Sequence, residues 1–415
     1  MNQRNANIIR LLTLAVLLAV TFLACSEEDN PYWYLDGNRA PGNVIPDTVW
    51  VMADRDTTVE IEINTGSSPY LFVGEHGGLE MVAYLKFTSL PDTASVAYAL
   101  LDLNIDGGTG EPFQIQIQAV TSNFDWEESE IRWENRPEVD PAPLWASAEP
   151  ISWGEDTTLY AAVLKIPGRI INDWIENSEG NGGIRISKSR ADASLGIIKI
   201  LSSEAVLDTG GVTIVNPPLT ITMADSSRSV RGPAQDAYVQ TRIEGDPWGS
   251  DPTWLGVGGG RPRRTFIGFN LSALHDSLSS GTVFSVAQAA LILNPLEGAV
   301  DDLPITDSLR VSIIPIETDP AWSENDSIPD SLQVESGAVT RGNIELSEEV
   351  AEFNVTRLVS DWITHTPING GLAVIADIET RTLNGIRLAS RLDPERGPRL
   401  RIIVTYSTTP RPGGK

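Results

Sequence analysis

The chain writes one short phrase twice. DWIENSEGNGG occupies residues 173–183 and DWITHTPINGG residues 361–371, 188 residues apart. Both begin Asp-Trp-Ile and place Asn-Gly-Gly seven residues after the tryptophan, while the five residues between share no identity. A fixed skeleton around free filler marks a structural unit, not an active site. Other landmarks repeat in the same order. VAYALLDLN (96–104) answers VAQAALILN (286–294), and Leu71-Phe72-Val73-Gly74 answers Leu255-Gly256-Val257-Gly258. Ile115-x-Ile117 precedes Trp126 as Val311-x-Ile313 precedes Trp322, and Pro217-Pro218-Leu219 matches Pro398-Arg399-Leu400. Such ordered self-similarity is the mark of a tandem duplication. It predicts copy one over residues 46–224 and copy two over 233–408, joined by the polar segment 225–232 and followed by a tail at 409–415.

Period-two alternation dominates both copies. TVEIEIN (58–64), FQIQIQAV (113–120) and LRIIVTY (400–406) each alternate apolar and polar side chains, as strands with one wet face do. The 35 glycines and 27 prolines punctuate the connections, and no long amphipathic helix is written anywhere. The expectation is an all-β chain of two tandem antiparallel β-sandwich domains, each about 175 residues and large enough to fold alone. The repeated phrase has a mechanical reading. Ile170, Ile171, Trp174 and Ile175 recur at helical spacing, as do Leu358, Val359, Trp362 and Ile363. That pattern predicts a short helix laying its tryptophan on the sandwich, with Asn-Gly-Gly supplying the positive φ angles that start the next strand.

The N-terminus reads as a leader. Arg4 and Arg10 precede the uncharged run Leu11–Ala24, which has the length of a secretion-signal core and is short for a bilayer span. Phe22-Leu23-Ala24-Cys25 resembles a bacterial lipobox, and Cys25 is the only cysteine. The resemblance implies a signal peptide over 1–24, acylation of Cys25, and a lipidated tether over 25–45 that connects to the membrane. Ser26 after the cysteine resembles outer-membrane sorting, and the acidic Ser26–Asn30 run resembles a surface-export signal.

One signature identifies a family. Trp126-Glu127-Glu128-Ser129-Glu130-Ile131-Arg132-Trp133-Glu134-Asn135-Arg136-Pro137 resembles the W-x-E-x-x-V-T-W-x-N-x-P pattern of DNRLRE domains, a group classed with carbohydrate-binding modules. The LKFTSLP strand, the A-x-L-x-L strand and the D-W…N-G-G turn fit the same family. The resemblance covers most of 47–407, twice, and implies a jelly-roll-like sandwich that in some members binds acidic polysaccharides. There are departures: Arg132 replaces threonine, copy two lacks the second half of the signature, and the family's Ser-Arg-Glu is Ser203-Glu204 in copy one and Ser390-Arg391 in copy two.

Against 56 acidic and 30 basic residues, one stretch stands out. From Pro252 to His275 there is no acid, while Arg261, Arg263 and Arg264 lie near Trp248 and Trp254. Guanidinium forks suit carboxylates and indole faces suit sugar rings, so these five residues form the expected carbohydrate site, with an anionic polysaccharide as partner. A net charge of −26 argues against a nucleic-acid partner. For Ca²⁺, the oxygen-rich stretch 104–111 offers Asp106 and Glu111, and the acidic run Asp125, Glu127, Glu128 and Glu130 offers others. No cofactor is required by any motif. Three scattered histidines (His76, His275 and His365), with no nucleophile elbow, Walker loop or zinc motif, point to a non-catalytic protein. Two other readings stay open: a structural or adhesive envelope protein, and a polysaccharide-active enzyme with a carboxylate pair.

Overall fold

One strand decides how the two copies are assembled. In the computed structural model, Val44–Glu60 runs first along Arg399–Ser407, from Val44 opposite Ser407 to Met52 opposite Arg399. From Ala53, opposite Phe269, the strand crosses to Arg263–Phe269, with a register shift between Ala53 and Arg55, and ends with Glu60 opposite Arg263. Both partners belong to copy two. Conversely, Arg228–Arg231 of the joining segment and Gln235–Arg242, which opens copy two, pair with Leu219–Met223 and Leu79–Lys86 of copy one. The copies have exchanged their first strands.

Chain connectivity supplies the reason. Leu219–Met223 is followed by a tight turn in which the Asp225 carboxylate accepts the Ser227 N–H at 2.8 Å and Ser226 adopts a positive φ of 70°. Asp and Ser favour such local closures. The hairpin lays the next strand onto the copy it has just left, and only Val44–Glu60 remains to complete copy two. The boundaries expected from the repeat, 46–224 and 233–408, differ from the units that the strand pairing assembles. Those are 70–242, and 254–407 completed by 44–60.

The structure describes residues 44–407 apart from 94, 122–124, 154–159, 206–215, 243–252, 261, 280–283, 297–307, 317–321, 323–338, 365–368, 378 and 380–382. All pairings are antiparallel, and corresponding strands pair alike in both units. Tyr70–His76 pairs with Gly196–Leu201 as Trp254–Gly258 pairs with Gly385–Ala389. Val96–Gly110 pairs with Tyr160–Pro167 as Phe284–Leu293 pairs with Ala351–Asn354. Ile115–Ala119 pairs with Ile184–Lys188 as Ser308–Pro315 pairs with Leu372–Ala376. The result is an all-β chain of sandwiches. Each unit buries its own apolar core: Leu85, Leu101, Ile117, Leu164, Ile186 and Ile200 in the first, Ile267, Leu291, Ile313, Val374, Leu400 and Ile402 in the second. These are the inward residues of the period-two pattern.

The repeated phrase folds as its spacing predicts. Gly168–Glu176 and Thr356–Thr364 are helices, with Ile171 and Trp174 buried in one and Val359, Trp362 and Ile363 in the other. The two tryptophans are core, not sugar platforms. The Asn-Gly-Gly that follows does more than end a helix. Asn181 donates to the carbonyl of Phe87 at 2.6 Å and Asn369 to that of Phe269 at 2.8 Å, sealing the end of the neighbouring strand. Gly183 and Gly371 hold φ of 86° and 95°, and a Cβ there would meet the carbonyl oxygens of Leu85 and Ile267.

Candidate carbohydrate-binding surface

The signature segment folds as a plug. Trp126 is buried against Val82, Tyr84, Val120, Ile131, Ala237 and Val239, and its indole N–H donates to the carbonyl of Gly182 at 2.9 Å. Trp322 repeats this with Gly370 at 2.8 Å, against Phe266, Ile316, Ala373 and Ile375. Asn135 closes its own turn, accepting the Arg132 N–H at 2.6 Å and donating to the Glu130 carbonyl at 3.0 Å. Tyr84 donates its hydroxyl proton to the Pro137 carbonyl at 3.3 Å, and burial pushes that phenol's pKa up. The residues that make the signature recognisable hold a loop over a sheet.

The acidic run of that segment is dispersed by its partners. Asp125 pairs with Lys86, and Glu127 accepts from the Gln235 side chain at 3.0 Å. Glu128 turns the other way and accepts the Asp236 N–H at 3.3 Å. There it joins Glu204 and Asp236 in a group whose carboxylate oxygens lie within 4.8 Å of one another. Sequence reasoning missed this group, because its members come from three segments and one of them lies in the exchanged strand.

The expected basic patch is largely neutralised. Arg264 makes a two-pronged contact with the Glu379 carboxylate at 3.0 and 2.7 Å, and Arg263 is buried with its guanidinium 3.5 Å from Glu60. The window is acid-free in sequence only; Glu60 arrives with the exchanged strand and Glu379 from the turn after Leu372–Ala376. Trp254 is half-buried against the first unit's core, with the Arg387 guanidinium 4.8 Å from its ring centre. Trp248, Arg261 and the lipidation residue Cys25 lie outside the described residues. Of the acids offered for Ca²⁺, Glu128 joins the carboxylate group, while Asp106 and Glu111 stand elsewhere. Asp106 is held by Lys199 at 2.8 Å, and Glu111 is exposed; neither joins the carboxylate group found among the described residues.

Among the described residues, two surfaces are candidates for a sugar. One is a groove lined by Ile61, Glu62, Arg132, Trp133, Glu134 and Gln240, enclosing about 120 Å³. That is below the roughly 300–1,000 Å³ of a small-molecule pocket. Its tryptophan is covered by the Arg136 guanidinium at 3.9 Å, and Arg132 is paired with Glu62 at 3.1 Å. The other is the outer face of Val44–Glu60 and its neighbours. Thr48, Trp50 and Met52 point outward while Val49, Val51 and Ala53 pack on the second core. Trp50 is 52% exposed, the only exposed tryptophan among the described residues. Arg401 lies opposite it in the ladder, and the Arg399 guanidinium lies 5.4 Å from its ring centre. Arg399 stands over one part of the ring, and the half-exposed indole area that remains takes the C–H face of a sugar ring by dispersion, with the guanidiniums as donors beside it. Arg401 pairs with Glu352, so the rim is mixed in charge.

Residues 47–149 match the model of carbohydrate-binding module family 96. This stretch is carbohydrate-binding-module-like. No curated protein matches the chain. The module-like stretch contains Trp50 and the Trp126–Pro137 plug, yet it is not one packed body. Its first strand lies in the sheets of the second unit, and the place that strand would take beside Leu79–Lys86 is filled by Gln235–Arg242.

Proposed function

We propose that this protein is a surface-anchored, non-catalytic lipoprotein that binds extracellular or cell-wall polysaccharide through the outward face around Trp50. The match of residues 47–149 to a carbohydrate-binding module family carries the reading. The half-exposed Trp50 ring within that stretch, with Arg399 and Arg401 beside it, supports the choice of surface. Binding there is by stacking with a contribution from charge, so anionic glycans are held more tightly at low salt. Acylation of Cys25, with the tether 25–45, anchors the chain in the outer membrane and presents it outward.

The test is retention of the purified chain on alginate, pectate and neutral polysaccharide gels, with Trp50→Ala and Trp133→Ala compared. The expected result is retention on at least one gel, lost in Trp50→Ala and kept in Trp133→Ala, with unchanged melting temperature for the exposed site. Loss in Trp133→Ala alone moves the site to the groove. Absence of retention on every gel favours a structural or adhesive envelope protein.

A further inference from the structure

The duplication provides an internal comparison at one position. In the second unit, Asp56 accepts the backbone N–H of Arg391 on Oδ2 at 2.5 Å, and the Arg391 guanidinium stands 3.8 Å from its Oδ1. In the first unit, Asp236 accepts the backbone N–H of Ser203 on Oδ2 at 2.8 Å. The two aspartates occupy the same register, opposite Ile267 and Leu85 of corresponding strands. Ser203 therefore stands where the second unit has Arg391. The guanidinium is gone, and its loss is not matched by loss of charge. Glu204 and Glu128 come in beside Asp236, with all three carboxylates inside 4.8 Å. Asp236 is wholly buried, and its Oδ1 has no hydrogen-bond donor.

We propose that the first unit binds a hard divalent cation of the Ca²⁺ class between Glu128, Glu204 and Asp236, in place of the guanidinium that Arg391 supplies in the second unit. Three carboxylates without histidine or cysteine select Ca²⁺ over transition metals. Oxygens bound to one Ca²⁺ at about 2.4 Å lie no more than about 4.8 Å apart, and the oxygens of these three residues fall within that limit. Glu204 is exposed and Glu128 half-buried, so the site opens to water that completes the coordination shell. Without a cation the group is frustrated. Burial and then the Glu204 charge push the Asp236 carboxyl up to about 8, and burial, with Glu204 and Glu127, raises Glu128. The cation ties the exchanged strand Gln235–Arg242 to the loop after Gly196–Leu201 and to the Trp126 plug.

The experiment is calorimetric and thermal titration of the full chain, stripped with EDTA, with CaCl₂ and separately MgCl₂. Saturable Ca²⁺ binding is expected, stronger than Mg²⁺ binding, with the melting temperature of the first unit rising by roughly 5–10 °C at 100-fold excess over Kd. Ser203→Arg, which rebuilds the arrangement of the second unit, is expected to abolish the Ca²⁺ response and to melt above the metal-free wild type. Asp236→Asn is expected to lose binding, and Asp106→Asn to keep it. Absence of Ca²⁺ binding in the wild type overturns the proposal, with Asp236 and Glu204 then sharing a proton. So does binding that survives unchanged in folded Ser203→Arg.

Discussion

Asp56 accepts the backbone N–H of Arg391, 335 residues away in the sequence, at 2.5 Å. The aspartate lies in the first strand and the arginine near the last, so this bond exists only because Val44–Glu60 left its own copy for the other. Its side chain is 5% exposed, while the arginine keeps 31%. Asp56→Ala removes the carboxylate that accepts the Arg391 N–H and faces its guanidinium. A loss of about 1–3 kcal/mol is expected, read as a lower denaturation midpoint of the second unit with the first unchanged. A midpoint shift in the first unit instead contradicts the exchange.

The exchange also dictates which fragments fold. A fragment of residues 61–246 contains every strand of the first unit, including Gln235–Arg242, and is expected to melt cooperatively. A fragment of 46–224 carries a strand with no partner and lacks the strand beside Leu79–Lys86. It is expected to aggregate or melt without cooperativity, as open sheet edges do. Circular dichroism melts of the two fragments decide the matter.

Trp126 and Trp322 occupy corresponding plugs and donate to corresponding glycine carbonyls. Trp→Phe at either position keeps most of the ring but removes the donor, and about 1–2 kcal/mol should be lost in the unit concerned. Trp174→Ala or Trp362→Ala removes a buried core ring outright and should cost about 3–5 kcal/mol. Chemical denaturation with separate probes for the two units measures both; no change in a unit's midpoint would place that tryptophan at the surface.

Arg264 was the sequence's candidate for a ligand contact, and its carboxylate partner comes from the same chain. Glu379 is only 10% exposed, so Arg264→Ala leaves a nearly buried charge without its guanidinium. The expected outcome is destabilisation by about 1–3 kcal/mol with retention on polysaccharide unchanged. Loss of retention at constant stability would restore the arginine cluster as a site.

The metal-free protein should also depend on pH in an unusual sense. Asp236 faces Glu204 and Glu128, with Glu127 behind them, and its folded pKa of about 8 exceeds the unfolded value of 3.8. Between those values the native state holds more protons than the unfolded chain, so stability is highest at the acid end and falls as pH rises from about 4 to 8. Denaturation midpoints of the first unit in EDTA, compared with Asp236→Asn, measure this; a slope of opposite sign refutes it.

The sequence alone determined what local chemistry determines. Period-two runs set the strands, the spacing of Trp174 and Trp362 set two helices and their buried faces, and Asn-Gly-Gly set the turns, since each depends on residues a few positions apart. The repeat determined that the fold occurs twice. Only the tertiary structure decided which copy each first strand completes. A strand's pattern fixes its buried face but not its partner, and the short turn after Met223 settled the choice by proximity. The same limit explains the site. Arg263 and Arg264 read as a basic patch because charge was counted along the chain, whereas Coulomb interactions act across space and Glu60 and Glu379 arrive from elsewhere. Glu128 was legible as one acid of a run, but its grouping with Glu204 and Asp236 was not, for the converse reason: three segments had to fold together before three ordinary acids became one cluster.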